Sequence, residues 1–339
     1  MKAYVLCNVN NLEYKEVEYP KCPKGWCIVQ VEAAGICSSD IPRIFIKGTY
    51  HFPTIPGHEF AGRVNEVADF ENKHLVGKKV AVFPLIPCRR CTQCHEGHYE
   101  MCEHYDYIGS RRDGAFAEYV AVPVWNIVEL DERVDFKEAA MMEPLSVALH
   151  ALKKSKLKKG DKFAVIGTGM IAFAAAQWAR RMGASSVTVL GRTEEKRCIA
   201  QRLNNVEYRI AQENQEEFDV VLEAVGTPIA IEQSIMFTRA GGTLILMGNP
   251  SSDIDIKQDV YWRILRKQLT LIGTWNSSYT NNEKCDWEDV KEALENKEIK
   301  ALALISHSFG SNELTNGLEL MRKHNEPFCK VMTIWNNND

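Results

Sequence analysis

The chain has no large excess of charge of either sign, no long apolar run and no cysteine pattern typical of disulfide-bonded proteins. Its formal net charge of −4 argues against nucleic acid or an anionic membrane as a partner. A membrane-spanning helix needs about 18 consecutive apolar residues, and no stretch of the sequence is that long. The first residues, MKAYVLCNVNNLEY, carry no secretory signal pattern. We therefore expect a cytoplasmic protein whose partners are small molecules.

Eleven cysteines are present, and an odd number in a chain of 339 residues does not predict a disulfide framework. Four of them follow the spacing C-x2-C-x2-C-x7-C, which places four thiolates close together. Such a set suits a closed tetrahedral zinc site that stabilises the fold. An iron–sulfur cluster is the alternative, since closely spaced cysteines also occur there. The predicted ligands are Cys88, Cys91, Cys94 and Cys102.

The sequence patterns predict two domains of different kinds. Short β-rich runs such as KAYVLC and AEYVAV fill about the first 146 residues. From Phe163 onward, apolar runs such as FAVIG alternate with helical stretches such as MIAFAAAQWARRM. This alternation predicts an α/β fold with a doubly wound parallel sheet.

A glycine-rich loop between the first of these strands and its helix has the form GxGxxA. The first glycine permits a tight turn, the second lets the backbone approach a pyrophosphate, and the small last residue lets helix pack on strand. Phosphate groups then meet free N–H groups at the start of the helix. The loop predicts a dinucleotide site at Gly167, Gly169, Met170, Ile171 and Ala172.

The next strand ends at Gly191, 22 residues after Gly169, where such sites usually hold an acid for the ribose 2′-hydroxyl. With glycine in place of the acid, a 2′-phosphate is no longer repelled. We also expect open space beside Gly191. Arg192 can bind a phosphate bidentately, and Lys196 and Arg197 lie close behind. We therefore favour NADP over NAD. The alternative is that Arg192 is an exposed turn residue and the cofactor is NAD.

A second set of metal-binding residues is dispersed along the chain. Cys37 lies in GICSSD, His58 and Glu59 lie in PGHEF, and Glu143 lies in MMEPLS. A thiolate, an imidazole and carboxylates together suit zinc, although each residue alone is usually structural. Few protein ligands leave an open coordination position, which is typical of a catalytic site. Asp40 is expected to accept the imidazole N–H of His58.

These motifs, with DGAFAEY and the glycine loop, identify a resemblance to the zinc-dependent medium-chain dehydrogenases of the alcohol and polyol type, over essentially the whole chain. The resemblance implies a GroES-like catalytic domain at 1–146 and 287–339, with a zinc lobe at about 84–105, and a Rossmann domain at 147–286. It implies a catalytic zinc held by Cys37 and His58, with Glu59 and Glu143 as exchanging or water-bridged ligands. Ser39 matches the family's proton relay, and related proteins are dimers or tetramers. Two zinc ions per chain are expected, and the nucleotide site is predicted to include Glu223, Gly248 and Thr274.

Within the family, the stretch from Tyr105 to Gly114 resembles sugar-alcohol phosphate dehydrogenases, although those have an acid where this chain has Gly191-Arg192. The resemblance favours a polyol phosphate such as galactitol 1-phosphate, interconverted with its ketose. Adjacent basic residues suggest a phosphate site, or else a turn or a subunit contact. The predicted substrate residues are Arg43, Lys47, Arg111 and Arg112.

Three alternatives remain at this point. The first is an NADPH-dependent ketone or aldehyde reductase, or an alcohol dehydrogenase, acting on substrates without phosphate. The second is an oxidoreductase of the same fold without catalytic zinc, such as a quinone reductase. The third is a non-enzymatic, zinc-stabilised binding protein. The joint presence of Cys37, His58 and Glu143 argues against the second, and the intact nucleotide loop argues against the third.

Overall fold

A computed structural model gives the fold and describes residues 1–281 and 284–335. The chain forms two compact units. The first comprises Met1–Glu143, Ser278–Lys297 and the chain from Ile305 onward, and the second comprises Pro144–Ser277 and Glu298–Leu304. The domain boundaries at 146 and 286 stay a prediction. Tyr279 already belongs to the first unit, where its hydroxyl donates to the carbonyl oxygens of Trp125 (2.9 Å) and Ile127 (3.1 Å).

Seventeen strands lie within the described residues. They are β1 (Lys2–Asn8), β2 (Asn11–Glu16), β3 (Trp26–Ile36), β4 (Glu59–Val67), β5 (Lys79–Val82), β6 (Leu85–Ile86), β7 (Asp106–Tyr107), β8 (Tyr119–Pro123), β9 (Ile127–Glu129), β10 (Lys162–Ile166), β11 (Ser186–Gly191), β12 (Glu207–Ile210), β13 (Phe218–Glu223), β14 (Thr238–Leu246), β15 (Thr270–Gly273), β16 (Ile305–Gly310) and β17 (Lys330–Ile334).

Ten α-helices accompany them in the same part of the chain. They are α1 (Asp40–Pro42), α2 (Thr92–His95), α3 (Phe136–Ala140), α4 (Met142–Ser155), α5 (Met170–Arg181), α6 (Arg197–Gln201), α7 (Pro228–Phe237), α8 (Gln258–Arg266), α9 (Asp286–Glu295) and α10 (Leu314–Lys323). A π-helical turn at Arg43–Lys47 continues α1. Short 3-10 turns lie at Phe70–Leu75, Tyr99–Met101, Val124–Asn126, Glu194–Lys196, Ala211–Glu213, Leu302–Leu304 and Ser311–Glu313.

The first unit is built on a seven-stranded sheet in the order β16-β17-β3-β4-β5-β9, with β8 also paired to β3. Strand β3 is long and almost wholly buried, as its apolar sequence WCIVQVEAAGI predicts. It pairs antiparallel with both β4 and β17, so residues far apart in sequence meet across it. Fully buried aromatic side chains fill the core of this unit, among them Phe60, Phe116 and Trp335.

The second unit contains a six-stranded, wholly parallel sheet in the order β12-β11-β10-β13-β14-β15. This order has a reversal between β10 and β13, the topological switch point where doubly wound sheets bind nucleotides. Helices α5 and α7 pack on β10 and its neighbours. The predicted fold class is confirmed: the first unit is mostly β, and the second has the doubly wound parallel sheet of an α/β fold.

All eleven cysteines lie within the described residues, and each has a free thiol. Across residues 1–281 and 284–335, every helix is too short or too polar to traverse a lipid bilayer.

Candidate active site and metal centres

Four thiols form a cluster beside the β6–β7 hairpin, and we call Cys88, Cys91, Cys94 and Cys102 the cysteine cluster. Their sulfur atoms all lie within 4.8 Å of one another, with 4.0 Å between Cys88 and Cys94 and 3.9 Å between Cys91 and Cys102. Sulfurs bound tetrahedrally at about 2.3 Å from one zinc ion lie about 3.8 Å apart, so the set fits zinc. The backbone N–H of Arg90 lowers the pKa of Cys88 to about 6, which favours the thiolate that binds metal.

The second cluster is assembled from two strand ends of the first unit. Cys37 follows β3, His58 precedes β4 and Glu59 begins it, and we call these three residues the mixed cluster. One ligand atom from each lies within 4.8 Å of the others. His58 and Glu59 are almost fully buried, while Cys37 is partly exposed. A soft thiolate, an imidazole and a hard carboxylate at this spacing fit zinc with an open coordination position.

Asp40 supports this cluster from a fully buried position at the start of α1. Its carboxylate accepts the backbone N–H of Cys37 at 2.9 Å and the guanidinium of Arg43 at 2.7 Å. The Nδ1 atom of His58 lies 3.5 Å from Asp40 Oδ1, longer than a well-formed hydrogen bond. Burial opposes ionisation of Asp40, but His58 and Arg43 outweigh it and lower the pKa of the carboxyl group.

Negative charge therefore surrounds His58. Burial by itself lowers the pKa of His58, but the charges of Asp40 and Cys37 outweigh burial and raise that pKa well above its ordinary value. A site that stabilises a positive charge this strongly also attracts a metal cation.

Lys330 is a buried partner of this cluster that the sequence analysis did not identify. It begins β17, and its ammonium group forms an ion pair with Glu59 Oε2 and donates to the carbonyl oxygen of Ile36 at 3.2 Å. Burial by itself lowers the pKa of Lys330, but Glu59 outweighs it and raises the pKa. A lysine that begins an otherwise apolar strand, KVMTI, was the available signal.

Gly35 and Tyr107 were also missed. Gly35 pairs with Glu59 across β3 and β4, and a Cβ atom on it would overlap the Glu59 carboxylate. The hydroxyl of Tyr107 donates to Glu143 Oε1 at 3.4 Å, and its ring packs edge-on against His58. Tyr107 lay in a motif that the resemblance used, but nothing in its spacing pointed to the metal residues.

Glu143 is buried, but it is not among the residues whose ligand atoms gather within 4.8 Å. Burial raises the pKa of Glu143 to about 7, and the charge of Glu59 acts in the same direction. Ser39 lies beside the mixed cluster, since its hydroxyl donates to Cys37 Sγ at 3.3 Å.

The predicted substrate residues have different surroundings within the protein. Arg43 is held by Asp40, and Lys47 ends the π-helical turn. Arg111 is stacked between the rings of Tyr50 (4.4 Å) and Tyr105 (4.2 Å) and donates to the Tyr105 carbonyl oxygen. Arg112 forms an ion pair with Asp106 and covers the ring of Trp26. The two adjacent arginines are thus engaged within the protein.

The nucleotide residues of the second unit lie at carboxyl ends of parallel strands. Gly167 follows β10 with a φ of 123°, a conformation that favours glycine. A Cβ atom on Gly169, the N-cap of α5, would meet nothing within 4 Å, which leaves room for a ligand close to the backbone. Ala172 is buried where α5 packs on the sheet, and Met170 and Ile171 form the first turn of that helix.

Glu223 ends β13 and is buried, and its carboxylate accepts the N–H groups of Val225 and Gly226, both at 2.8 Å. It therefore fixes the loop after β13. Gly248 and Thr274 follow β14 and β15 along the same edge.

Gly191 ends β11 as predicted, but the expected open space beside it is not there. A Cβ atom on Gly191 would overlap the hydroxyl of Tyr208. Arg192 is exposed and forms no ion pair with any residue that the structure describes. Arg197, in contrast, pairs with Glu194 and donates to the Tyr208 carbonyl oxygen at 2.6 Å, so it is not a free cation.

Sequence families and known structures match both units. Residues 23–132 match the alcohol dehydrogenase GroES-like domain, and residues 171–296 match the zinc-binding dehydrogenase family. Galactitol 1-phosphate 5-dehydrogenase of Escherichia coli (strain K12) is 33% identical over 82% of this chain and 84% of its own length. The crystal structure of galactitol-1-phosphate dehydrogenase from Escherichia coli superposes with a TM-score of 0.91 at 29% identity, covering 99% of this chain and all of that one.

Two further solved structures carry a nucleotide. A zinc-binding dehydrogenase from Sinorhizobium meliloti 1021, bound to NADP, has a TM-score of 0.88 at 27% identity, covering 98% of this chain and 99% of that one. A short chain alcohol dehydrogenase from Escherichia coli CFT073, complexed with NADH, has a TM-score of 0.88 at 25% identity, covering 99% of both chains.

Proposed function

This chain belongs to the zinc-dependent medium-chain alcohol and polyol dehydrogenases, oxidoreductases that act on CH–OH groups, and we propose that it interconverts a sugar alcohol and its ketose by hydride transfer with a nicotinamide nucleotide. The observation that carries this proposal is the mixed cluster, with three unlike ligand atoms within 4.8 Å of one another. Family membership also sets aside a non-enzymatic binding protein.

Cys37, His58 and Glu59 would hold the catalytic zinc, with Glu143 as an exchanging or water-bridged ligand. Lewis-acid chemistry, which polarises an alcohol or ketone oxygen and lowers the pKa of a hydroxyl group, is what zinc supplies when bound. Asp40 orients His58 through its charge, and Lys330 holds the Glu59 carboxylate. These two buried partners fix two consecutive ligands at the start of β4.

Oxidation of an alcohol removes a hydride from carbon and a proton from oxygen, so the chain must provide a path for the proton. Ser39 is partly exposed, and its hydroxyl lies 3.3 Å from Cys37 Sγ. A hydroxyl group both donates and accepts hydrogen bonds, so Ser39 passes the proton from the substrate oxygen toward solvent.

The cysteine cluster would hold a second, structural zinc, giving two ions per chain. Its four thiolates leave no open position, so its contribution is to stability. Iron–sulfur chemistry is the alternative, and metal analysis with an absorption spectrum distinguishes the two.

The glycine loop and the strand ends of the second unit would bind the nucleotide, with NADP preferred. The lack of an acid at position 191 supports this preference, and so does Arg192, which is exposed and forms no ion pair with any described residue. One charge-assisted hydrogen bond contributes about 1.5–3 kcal/mol, which is roughly a 10- to 100-fold preference. Lys196 is also among the predicted contacts to the 2′-phosphate. Arg197 pairs with Glu194.

We infer a polyol phosphate such as galactitol 1-phosphate as substrate, from the relative whose name specifies that compound. The engagement of Arg111 and Arg112 within the protein supports the second candidate, an alcohol dehydrogenase or NADPH-dependent ketone or aldehyde reductase for substrates without phosphate. By analogy with related enzymes we also expect a homo-oligomer, a dimer or a tetramer, in the cytoplasm.

The deciding experiment is a rate measurement on the zinc-loaded protein. Galactitol 1-phosphate and free galactitol are compared with NADP and with NAD, and the corresponding ketoses with NADPH and NADH. A kcat/KM at least about 10-fold higher for the phosphate ester, the effect of one charged contact, supports the polyol phosphate. Equal values favour the second candidate. No oxidation of any polyol and no reduction of any ketose would overturn the proposed function.

A further inference from the structure

The corner of the second unit that would bind the adenosine ribose contains a buried tyrosine. Tyr208 lies on β12, the strand next to β11, and is 5% exposed. An ideal Cβ atom on Gly191 would overlap its hydroxyl group and lie 2.9 Å from Thr168 Cγ2. Thr168 belongs to the glycine loop, so two elements confine this position. The chain therefore requires glycine at 191 for as long as Tyr208 is present.

The Tyr208 hydroxyl also has a specific partner. It donates to the carbonyl oxygen of Thr193 at 2.5 Å. Thr193 lies in the turn after β11, directly behind Arg192. The bond ties the turn that carries Arg192 to the neighbouring strand.

Tyr208 is itself held in place. The guanidinium of Arg197 lies 5.2 Å from the centre of its ring and donates to its carbonyl oxygen at 2.6 Å. Arg197 is in turn paired with Glu194, with 2.8 Å between Nη2 and Oε1. A side chain anchored through its hydroxyl, its ring and its backbone does not move aside easily.

We propose that Tyr208 is a specificity-determining residue that acts together with Gly191. Its hydroxyl occupies the volume that a ribose-binding acid at 191 would need, and its bond to Thr193 positions the turn of Arg192 for a 2′-phosphate. This inference rests on the proposed function, because it assumes that the corner binds a nicotinamide nucleotide. Its consequence is that an acid at 191 alone cannot convert the site to NAD.

The test compares the dissociation constants of NADPH and NADH, by nucleotide fluorescence, for the zinc-loaded wild type and four variants. Gly191→Asp alone is expected to weaken both nucleotides, since the new side chain collides with Tyr208. Gly191→Asp combined with Tyr208→Ala is expected to bind NADH at least about 10-fold more tightly than NADPH. Tyr208→Phe, which loses only the hydroxyl, is expected to weaken NADPH about 3- to 10-fold while NADH changes little.

Tyr208→Ala alone keeps the test meaningful if Gly191→Asp does not fold, because it frees the volume without adding charge and should reduce the NADPH preference. Tight NADH binding by Gly191→Asp alone, matching the double variant, would overturn the steric part of the proposal. If the ratio of the NADPH and NADH dissociation constants is unchanged in Tyr208→Phe, the proposed positioning of the Arg192 turn by the Tyr208 hydroxyl is overturned. Wild-type protein that binds neither nucleotide would overturn the proposed function itself, which is a distinct outcome.

Discussion

The two candidate metal-binding clusters of the first unit are built in opposite ways. The cysteine cluster comes from 15 consecutive positions, Cys88 to Cys102, and uses four identical ligands on one hairpin extension. The mixed cluster uses three different ligands, and its charges are balanced by Asp40 and by Lys330 from another strand. A local, saturated set suits a structural role, whereas a set that depends on buried partners can be tuned for chemistry.

Removal of one cysteine from each cluster is expected to have the largest effects and to separate the two roles. Replacing a residue that orients a metal ligand costs up to about 100-fold in activity. Since Cys37 is itself a proposed ligand, we expect Cys37→Ser to lower kcat by more than this, with little change in melting temperature. We expect Cys91→Ser to lower the melting temperature by on the order of 10 °C and the zinc content from two ions to one per chain. Turnover, calorimetry and elemental analysis on both variants check this.

Cys22→Ser is the matched control, since Cys22 is partly exposed and lies outside both clusters. It should match the wild type in all three measurements. The distinction between structural and catalytic sites fails if Cys37→Ser keeps its turnover, or if Cys91→Ser keeps its metal and its melting temperature.

The second prediction concerns the buried partner of Glu59. Lys330→Met leaves the Glu59 carboxylate buried without its cation, and loss of one member of a buried pair costs about 3–5 kcal/mol. We expect the free energy of unfolding, measured with urea, to fall by this amount and the catalytic activity of the folded protein to fall as well.

Lys79→Met is the control for this variant. Lys79 is equally buried, but its ammonium group donates to the carbonyl oxygens of Glu132 (2.8 Å) and Val134 (2.6 Å). Its replacement should reduce stability and leave the kcat of the folded protein unchanged. The same kcat for both variants would show that Lys330 is only a structural residue.

The smallest expected effect is that of Asp40→Asn, which keeps the shape of the side chain and removes its charge. Changes in the groups that orient metal ligands cost about 10- to 100-fold in metal affinity or activity. Competition with a chelator measures the affinity of the mixed cluster. Asp113→Asn is the control, because Asp113 likewise accepts a backbone N–H, from Ile55 at 2.8 Å, and equal affinities for the two variants would contradict the role of Asp40.

The sequence predicts a region well when the residues that build it lie close together along the chain. The glycine loop, the alternating strands and helices and the cysteine cluster are local patterns, and the fold class followed from them. The pairing of Glu59 with Lys330 spans 271 residues and depends on the register of β4, β3 and β17. No local pattern encodes that register.

The prediction of open space beside Gly191 was wrong for a similar reason. The prediction considered only the side chain that glycine removes, and Tyr208 reaches the same volume from the next strand. Tyr208 lies 17 positions after Gly191 in the sequence. Its contact with position 191 can be predicted only once the parallel pairing of β11 and β12 is known.

The position of Lys330 in the chain also has a consequence for biosynthesis. Ribosomes add about 5–20 residues per second, so the 271 residues between Glu59 and Lys330 take roughly 14–54 s to make. During that interval the nascent chain already contains Cys37, His58 and Glu59 but not the strand that neutralises the carboxylate. A nascent chain interrupted before β17 thus contains all three residues of the mixed cluster but not the ammonium group that pairs with Glu59, whereas its cysteine cluster is fully synthesised. If both clusters bind zinc as proposed, ribosome-bound chains of increasing length should acquire the two ions at two separate stages.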